Sequence, residues 1–205
     1  MSEDAVATMV DVSFAVRGNA LPRDHRRALA AALEQRLPWL AVQPGAGVHR
    51  LNVSAGGGPL ALLSQRTRLT LRVPRERAAE AAALEGAELA FGDAALHVGA
   101  AQSRELRPWG TLYAHLVAAR DDDDELAFLR GVDDELARLG IDGRPICGRA
   151  QVLESGTLRG YSLMVDQLSA ADALRLLDAG VGVHRRLGCG LFVPHKSAAA
   201  VGAPA

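Results

Sequence analysis

Two stretches of this chain pass through the same succession of patterns, and few architectures accept that succession. Met9 to Val16 is apolar and rich in β-branched residues, as in a strand. Pro22 and Asp24 then open a helix in which Leu29, Leu33 and Leu37 recur every four residues, and Pro38 closes it. Val48–Val53 and Leu60–Ser64 read as extended. Arg66–Val73 alternates, with Arg66, Arg68, Thr70 and Arg72 on one face and Thr67, Leu69, Leu71 and Val73 on the other. After Pro74 comes an Ala-rich helix, Arg75–Glu85, and then Glu88–Phe91 with Ala95–Val98 as a closing strand or hairpin. The order is β-α-β-β-α-β.

The order then returns. Thr111–Ala118 is a strand, and Asp122–Leu139 a helix with Leu129, Val132, Leu136 and Leu139 in one stripe. Asp121–Asp124 stands at its start, where the helix dipole favours negative charge. Ile146–Glu154 and Leu158–Val165 are strands joined by Ser155-Gly-Thr157. Ser169–Asp172 resembles a capping box opening a helix that Gly180 stops, and Gly190–Val193 is the final strand. The expected fold is α+β: tandem ferredoxin-like (RRM-like) βαββαβ domains, each a four-stranded antiparallel sheet with helices on one face. The expected bounds are 1–101 for the first domain, 102–110 for a linker containing Pro108, 111–198 for the second domain with its glycine-rich loop, and 199–205 for a tail. The open sheet faces have to be covered, by each other or by a ligand. The fold alone names no function.

Composition narrows the classes. Net charge is −1, from 23 basic and 24 acidic residues, which is not the footprint of a strongly basic nucleic-acid protein. Five of the acids are confined to Asp121–Glu125, so positive charge elsewhere is locally in excess. Lys196 is the only lysine; the other 22 basic residues are Arg, the better side chain for phosphate. Cys147 and Cys189 supply neither a disulfide framework nor a CxxC metal spacing. The EF-hand and phosphate-binding-loop patterns are missing as well, so no metal and no cofactor is expected. Met1–Asp4 has no apolar signal core and no apolar run is long enough to span a membrane, which points to a cytoplasmic protein without a membrane partner.

Anion chemistry is suggested near the C-terminus. Arg185 and Arg186 precede Gly188 and Gly190, and Lys196 follows. Glycines in such a turn let a ligand approach the main chain, and forked guanidinium groups suit phosphate oxygens. Arg66, Arg68 and Arg72, projecting from one strand face with no acids opposite, call for water, carboxylates or phosphate. Arg144 and Arg149 fall where they extend the patch around the turn.

With these residues in hand the chain resembles a known family. Leu21-Pro-x-Asp-His25, Leu37-Pro-Trp-Leu40, Gly47-Val-His49, Leu63-Ser-x-Arg-x-Arg-Leu-Thr-Leu-Arg72, Gly143-Arg-x-Ile-Cys-Gly-Arg149, Gly160-Tyr-Ser-Leu163 and Gly188-Cys-Gly-x-Phe-Val-Pro-His-Lys196 are similar, in that order, to the CRISPR-associated repeat-processing endoribonucleases of type I systems. The likeness runs from about Met9 to Lys196. It implies one cut per repeat in a precursor RNA, without metal. The ribose 2′-OH attacks, leaving a 2′,3′-cyclic phosphate and a 5′-OH. It implies a repeat RNA, expected as a hairpin, as partner, along with other subunits of the interference complex.

Such a cut needs a base, an acid and positive charge for the phosphorane, and histidine suits the first two because it titrates near neutrality. His49 is the first candidate, just before a strand and beside Arg50. In the family the catalytic histidine falls in the first helix or just after it. His25 is the rival, in the first helical turn among Arg23, Arg26 and Arg27, a cluster also able to hold RNA. His184 and His195 read as RNA contacts or structural groups, and His97 and His115 as core or sheet-face histidines. Tyr161 and Phe192 are candidates to stack bases. Two other readings keep the fold: a catalytically silent RNA-binding subunit, and a small-molecule-sensing regulator with an apolar pocket between its domains.

Overall fold

A computed structural model describes residues 6–18, 20–56, 58–91, 94–120 and 122–196. Asp121 and the expected tail 199–205 lie outside them. The first half contains β1 (Met9–Arg17), β2 (Ala20–Pro22), α1 (Arg26–Arg36), β3 (Gly47–Val48), β4 (Ser54–Ala55), β5 (Leu60–Leu62), β6 (Arg68–Pro74), α2 (Ala78–Ala82), β7 (Glu88–Phe91) and β8 (Ala94–Glu105). The second contains β9 (Leu112–Ala118), α3 (Glu125–Arg138), β10 (Arg144–Leu153), β11 (Leu158–Asp166), α4 (Ala170–Ala179) and β12 (Phe192–Pro194). The principal sheets run β3-β6-β1-β8-β7 and β10-β11-β9-β12, every pair antiparallel. In both, the second, third, first and fourth strands of the motif lie side by side, so each half is a ferredoxin-like unit. The first sheet gains a fifth strand because β7 and β8 both join it, and β2, β5 and β4 form a small sheet of their own.

Alternation decides what faces what. In β1, Val10, Val12, Phe14 and Val16 are buried in the core while Asp11 and Ser13 point the other way. In β6, Leu69, Leu71 and Val73 are fully buried. Helix α1 adds Leu29, Ala32 and Leu33 to this core and stops at Leu37, ahead of Pro38. Each such large apolar side chain stabilises by about 1.5–3 kcal/mol relative to exposure. In the second half Asp124 caps α3, its carboxylate accepting from the Ala127 N–H at 2.8 Å. The buried stripe is Phe128, Val132 and Leu136, with Leu129 and Leu139 at its margin. Ser169 caps α4, and Gly180 ends it at φ +60°.

Three segments differ from the sequence reading. The strand expected over Val48–Val53 pairs only through Gly47–Val48, after which the chain leaves the sheet. The Ala-rich helix shortens to a 3₁₀ turn and Ala78–Ala82, because Gly86, at φ +80°, turns back to donate to the Val98 carbonyl at 2.9 Å. Strand β8 reaches Glu105, which pairs with Val10, so residues 102–105 of the expected linker belong to the sheet.

The halves are clasped together. Asp178, at the end of α4, accepts from the backbone N–H groups of Thr8 and Met9 at 2.8 and 3.0 Å. Glu154 accepts from the Arg26 N–H at the start of α1 (3.0 Å), and Arg26 Nη1 donates to the Leu187 carbonyl (2.6 Å).

Candidate nucleic-acid interface

The polar faces of β1 and β6 meet β9 and β12 across a crease of about 410 Å³. Asp11, Ser13, Arg68, Thr70 and Arg104 line it from the first sheet, and His49, Arg50 and Asn52 from the chain just after β3. Tyr113, His115, Gly188, Leu191 and Val193 close the other side. Three guanidinium groups face one carboxylate, so the crease is cationic, and its walls are mixed polar and apolar rather than an apolar pocket.

His49 is held in place. Its backbone N–H donates to Thr70 O at 2.9 Å, which fixes the start of the irregular segment against β6. Its Nε2 lies 3.4 Å from Asp11 Oδ1, with 15% of the side chain exposed. Burial pushes the His49 pKa down; the Asp11 hydrogen bond only partly offsets that, and the Arg72 charge adds to the lowering. Burial works against the Asp11 carboxylate too, but the His49 hydrogen bond and the charges of Arg72 and His49 outweigh it, and Asp11 is held well below the usual carboxylate range. At neutral pH the pair is therefore a carboxylate beside a neutral imidazole.

His115 stands on the opposite wall. Arg50 Nη1 is 2.8 Å from its Nε2 and 3.1 Å from Nδ1, while Arg50 Nε and Nη2 fork onto Asn52 Oδ1 at 3.2 and 3.1 Å. Burial, then the charges of Arg50 and Arg26, lower the His115 pKa to about 4. A neutral ring nitrogen accepting from a guanidinium fits that direction.

The candidate residues separate on this map. His49, Arg50, Arg68 and Gly188 come together in the crease. Arg72, expected to bind RNA, is not in the crease with them, and that assignment is corrected. It shares the strand face of Arg68 but is 1% exposed, since the second half closes over it. Its Nε and Nη2 fork onto Asp11 (2.9 and 3.0 Å), and Nη1 donates to the Phe192 and Leu177 carbonyls (2.8 and 3.2 Å). Arg66 leaves the strand face as well, because it sits in the turn before β6. His25 is 6% exposed, with Nδ1 2.8 Å from the Pro22 carbonyl, and it packs at the start of α1 outside the crease.

Arg26 reaches the glycine turn, while Arg27 and Arg186 line a separate groove with Glu34 and His184, Arg186 being paired to Glu34. Arg23 lies over the small sheet, donating to the Gly56 and Leu60 carbonyls at 3.3 and 3.4 Å. Arg144 and Arg149 are exposed on the edge strand β10, and Lys196 is exposed beyond β12. Arg185 is partly buried behind the turn, where its Nη1 has no hydrogen-bond partner among the described residues. Gly188 and Gly190 take φ +79° and +65°, and a Cβ on Gly190 would strike the Val181 carbonyl. Phe192 is fully buried, and Tyr161 packs on Phe128 with ring centroids 4.8 Å apart.

Sequence reasoning passed over Asp11, Arg104, Tyr113 and the crease position of His115. For Asp11 a signal existed: it is the one acid in an apolar strand, on the face that alternation turns away from the core. Among the described residues no three His, Cys, Asp or Glu side chains gather as a metal site requires. No helix among them is long and apolar enough to cross a membrane.

Two ferredoxin-like halves clasped over a crease with three arginines and a carboxylate-held histidine define a tandem ferredoxin-like protein with a cationic interdomain crease. The Cas6 Crispr family model matches residues 10–197. The chain is 34% identical over 194 residues to a CRISPR-associated endonuclease Cas6 of Myxococcus xanthus, covering 94% of this chain and 84% of that protein. Among solved structures it is similar to a Cas6-related protein from Pyrococcus furiosus, at a TM-score of 0.64 and 14% identity, covering 90% of this chain and 98% of that one. A RAMP protein that binds different RNA substrates superposes at 0.60 with 16% identity, again over 90% and 98%. At these identities the structural likeness speaks for the fold. On the match of nearly its whole length to the family model, the chain belongs to the Cas6 family.

Proposed function

We propose that this protein cuts CRISPR repeat RNA in precursor transcripts, with the crease as its active site and without a metal ion. The observation that carries the reading is the meeting of His49 with Arg50, Arg68 and Arg104 in one cavity. His49, neutral at working pH, takes the proton of the ribose 2′-OH. The 2′-oxygen attacks phosphorus, and the bond from phosphorus to the 5′-oxygen breaks. The guanidinium groups stabilise the charge that gathers on the phosphorane oxygens. When Arg50 turns to the phosphate, His115 loses a cationic neighbour and gains an anionic one, so its pKa rises and it protonates the departing oxygen. The products are a 2′,3′-cyclic phosphate and a 5′-OH.

The groove lined by Arg27 and Arg186 would take the backbone of a hairpin stem, Arg186 exchanging Glu34 for phosphate, while Arg26 holds the glycine turn beside it. The silent-subunit reading keeps the groove and discards the chemistry.

Incubation with the cognate repeat RNA in excess chelator tests both. The expected result is a single cut ending in a cyclic phosphate. His49→Ala is expected to lose on the order of 10²-fold or more in rate while binding is retained, and His25→Asn to keep cutting. Binding without cutting would sink the enzyme reading, and absence of binding would sink both.

A further inference from the structure

We infer that Asp11 is a positioning residue for His49, and that Arg72 makes this positioning depend on the docking of the two halves. The inference rests on the reading of His49 as the base.

The chain of contacts is short and continuous. Asp11 Oδ1 faces His49 Nε2 at 3.4 Å. The same carboxylate receives Nε and Nη2 of Arg72 at 2.9 and 3.0 Å. A carboxylate in that fork has no proton to give; it only accepts. The ring nitrogen opposite it is therefore the one that carries hydrogen. In neutral His49 that fixes the proton on Nε2 and leaves the lone pair on Nδ1. A base that is free to change tautomer presents its lone pair only part of the time, whereas this one is set before substrate arrives.

The third Arg72 nitrogen explains why the carboxylate stays put. Nη1 donates to the Phe192 and Leu177 carbonyls, which belong to β12 and the last turn of α4 in the other half. Arg72 thus spans the interface: one edge of its guanidinium holds the histidine's partner, and the other holds the second sheet. If the halves separate, Arg72 loses its carbonyls and Asp11 its fixed orientation. The charged and titratable groups around His49 are Asp11 from β1, Arg72 and Arg68 from β6, Arg104 from β8, Arg50 beside it, His115 from β9, His25 and Arg26 at the start of α1, and Arg186 before the glycine turn. Asp11 is the only anion among them, so no other group at this site can hold the Nε2 hydrogen electrostatically.

Nitrogen NMR of the intact chain with ¹⁵N-labelled histidine reads the tautomer directly. The His49 resonance is assigned by its loss in His49→Gln. The expected spectrum of the wild-type protein has a protonated Nε2 and an unprotonated Nδ1 at neutral pH; a protonated Nδ1 overturns the inference.

Asp11→Asn extends the test. An amide can donate to Nε2, so the expected spectrum moves toward the Nδ1–H form. The acid limb of the cleavage-rate profile is expected to move down by about one pH unit or more, since the group that favours imidazolium is gone while Arg72 remains. RNA affinity is expected within about threefold of wild type, as no phosphate contact is removed. A rate loss with the acid limb and tautomer unmoved would show only a structural role and overturn the assignment. Full cutting by His49→Ala would instead overturn the base itself, a separate result that leaves the tautomer measurement standing.

Discussion

Arg72→Ala separates a structural arginine from an RNA-binding one. In the native chain its guanidinium makes two bonds to Asp11 and two to main-chain carbonyls, with 1% of the residue exposed. Truncation leaves a mostly buried carboxylate and two carbonyls without their donor. Breaking a buried ion pair by removing one partner costs about 3–5 kcal/mol. Asp11 keeps 19% of its side chain exposed, which allows some solvation and favours the lower half of that range. For a chain of this size about 2–4 °C of melting temperature is lost per kcal/mol, so a drop of roughly 6–15 °C is expected by circular dichroism. The double variant Arg72→Met with Asp11→Asn removes both charges, and it is expected to regain a good part of the loss. The second half of the experiment is the salt dependence of RNA binding. Arg72→Ala is expected to leave the slope of log affinity against log salt unchanged, because Arg72 meets no phosphate. Arg68→Ala is expected to reduce it by about one. An Arg72→Ala protein within about 1 kcal/mol of wild type, or with a slope reduced by one, would refute the clasp.

Other outcomes follow from the same geometry. His115 is depressed to about 4 in the folded chain against 6.5 ordinarily, so the unfolded chain takes up its proton first as pH falls. Stability is expected to decline from pH 6.5 toward 4, and urea titrations of His115→Asn should show a flatter decline. If phosphate lifts that pKa, RNA affinity rises as pH falls through the same window, measurable by filter binding. Gly190→Ala meets both a positive φ and the Val181 carbonyl, whereas Gly58→Ala, at φ +60°, has open space around its Cβ. The Gly58 variant is expected to lose only about 1–2 kcal/mol, the left-handed backbone term, in urea unfolding, and the Gly190 variant clearly more. Burial raises the Cys147 and Cys189 thiols to about 11, with the Glu125 charge adding for Cys147 and Arg26 partly offsetting it for Cys189. Ellman's reagent is expected to leave both largely unreacted in the folded chain at pH 8.

What the sequence made legible is what local period encodes. The alternation of β1 and β6 and the four-residue spacing in α1 give the twin βαββαβ order, and proline and glycine mark where helices stop. Alternation also places Arg68 and Arg72 on one face, as found. It does not say that one end of that face is solvent and the other is the second half of the molecule. The bonds that bury Arg72 reach across 105 and 120 residues. His115 shows the same gap from the other side. Between Ala114 and Leu116 it is an ordinary sheet residue until Arg50, 65 positions away, is brought against it. His25 errs in the opposite direction, for its arginine neighbours suggest a phosphate site while its ring turns inward to the Pro22 carbonyl three residues back. The crease is therefore a product of closure rather than of any one segment. That closure depends on Asp178, Glu154 and Arg72, polar groups whose partners are mainly backbone atoms of the other half. Each half supplies a wall: His49, Asp11 and the cations come from the first, and His115 of the second meets Arg50 only when the clasp is made.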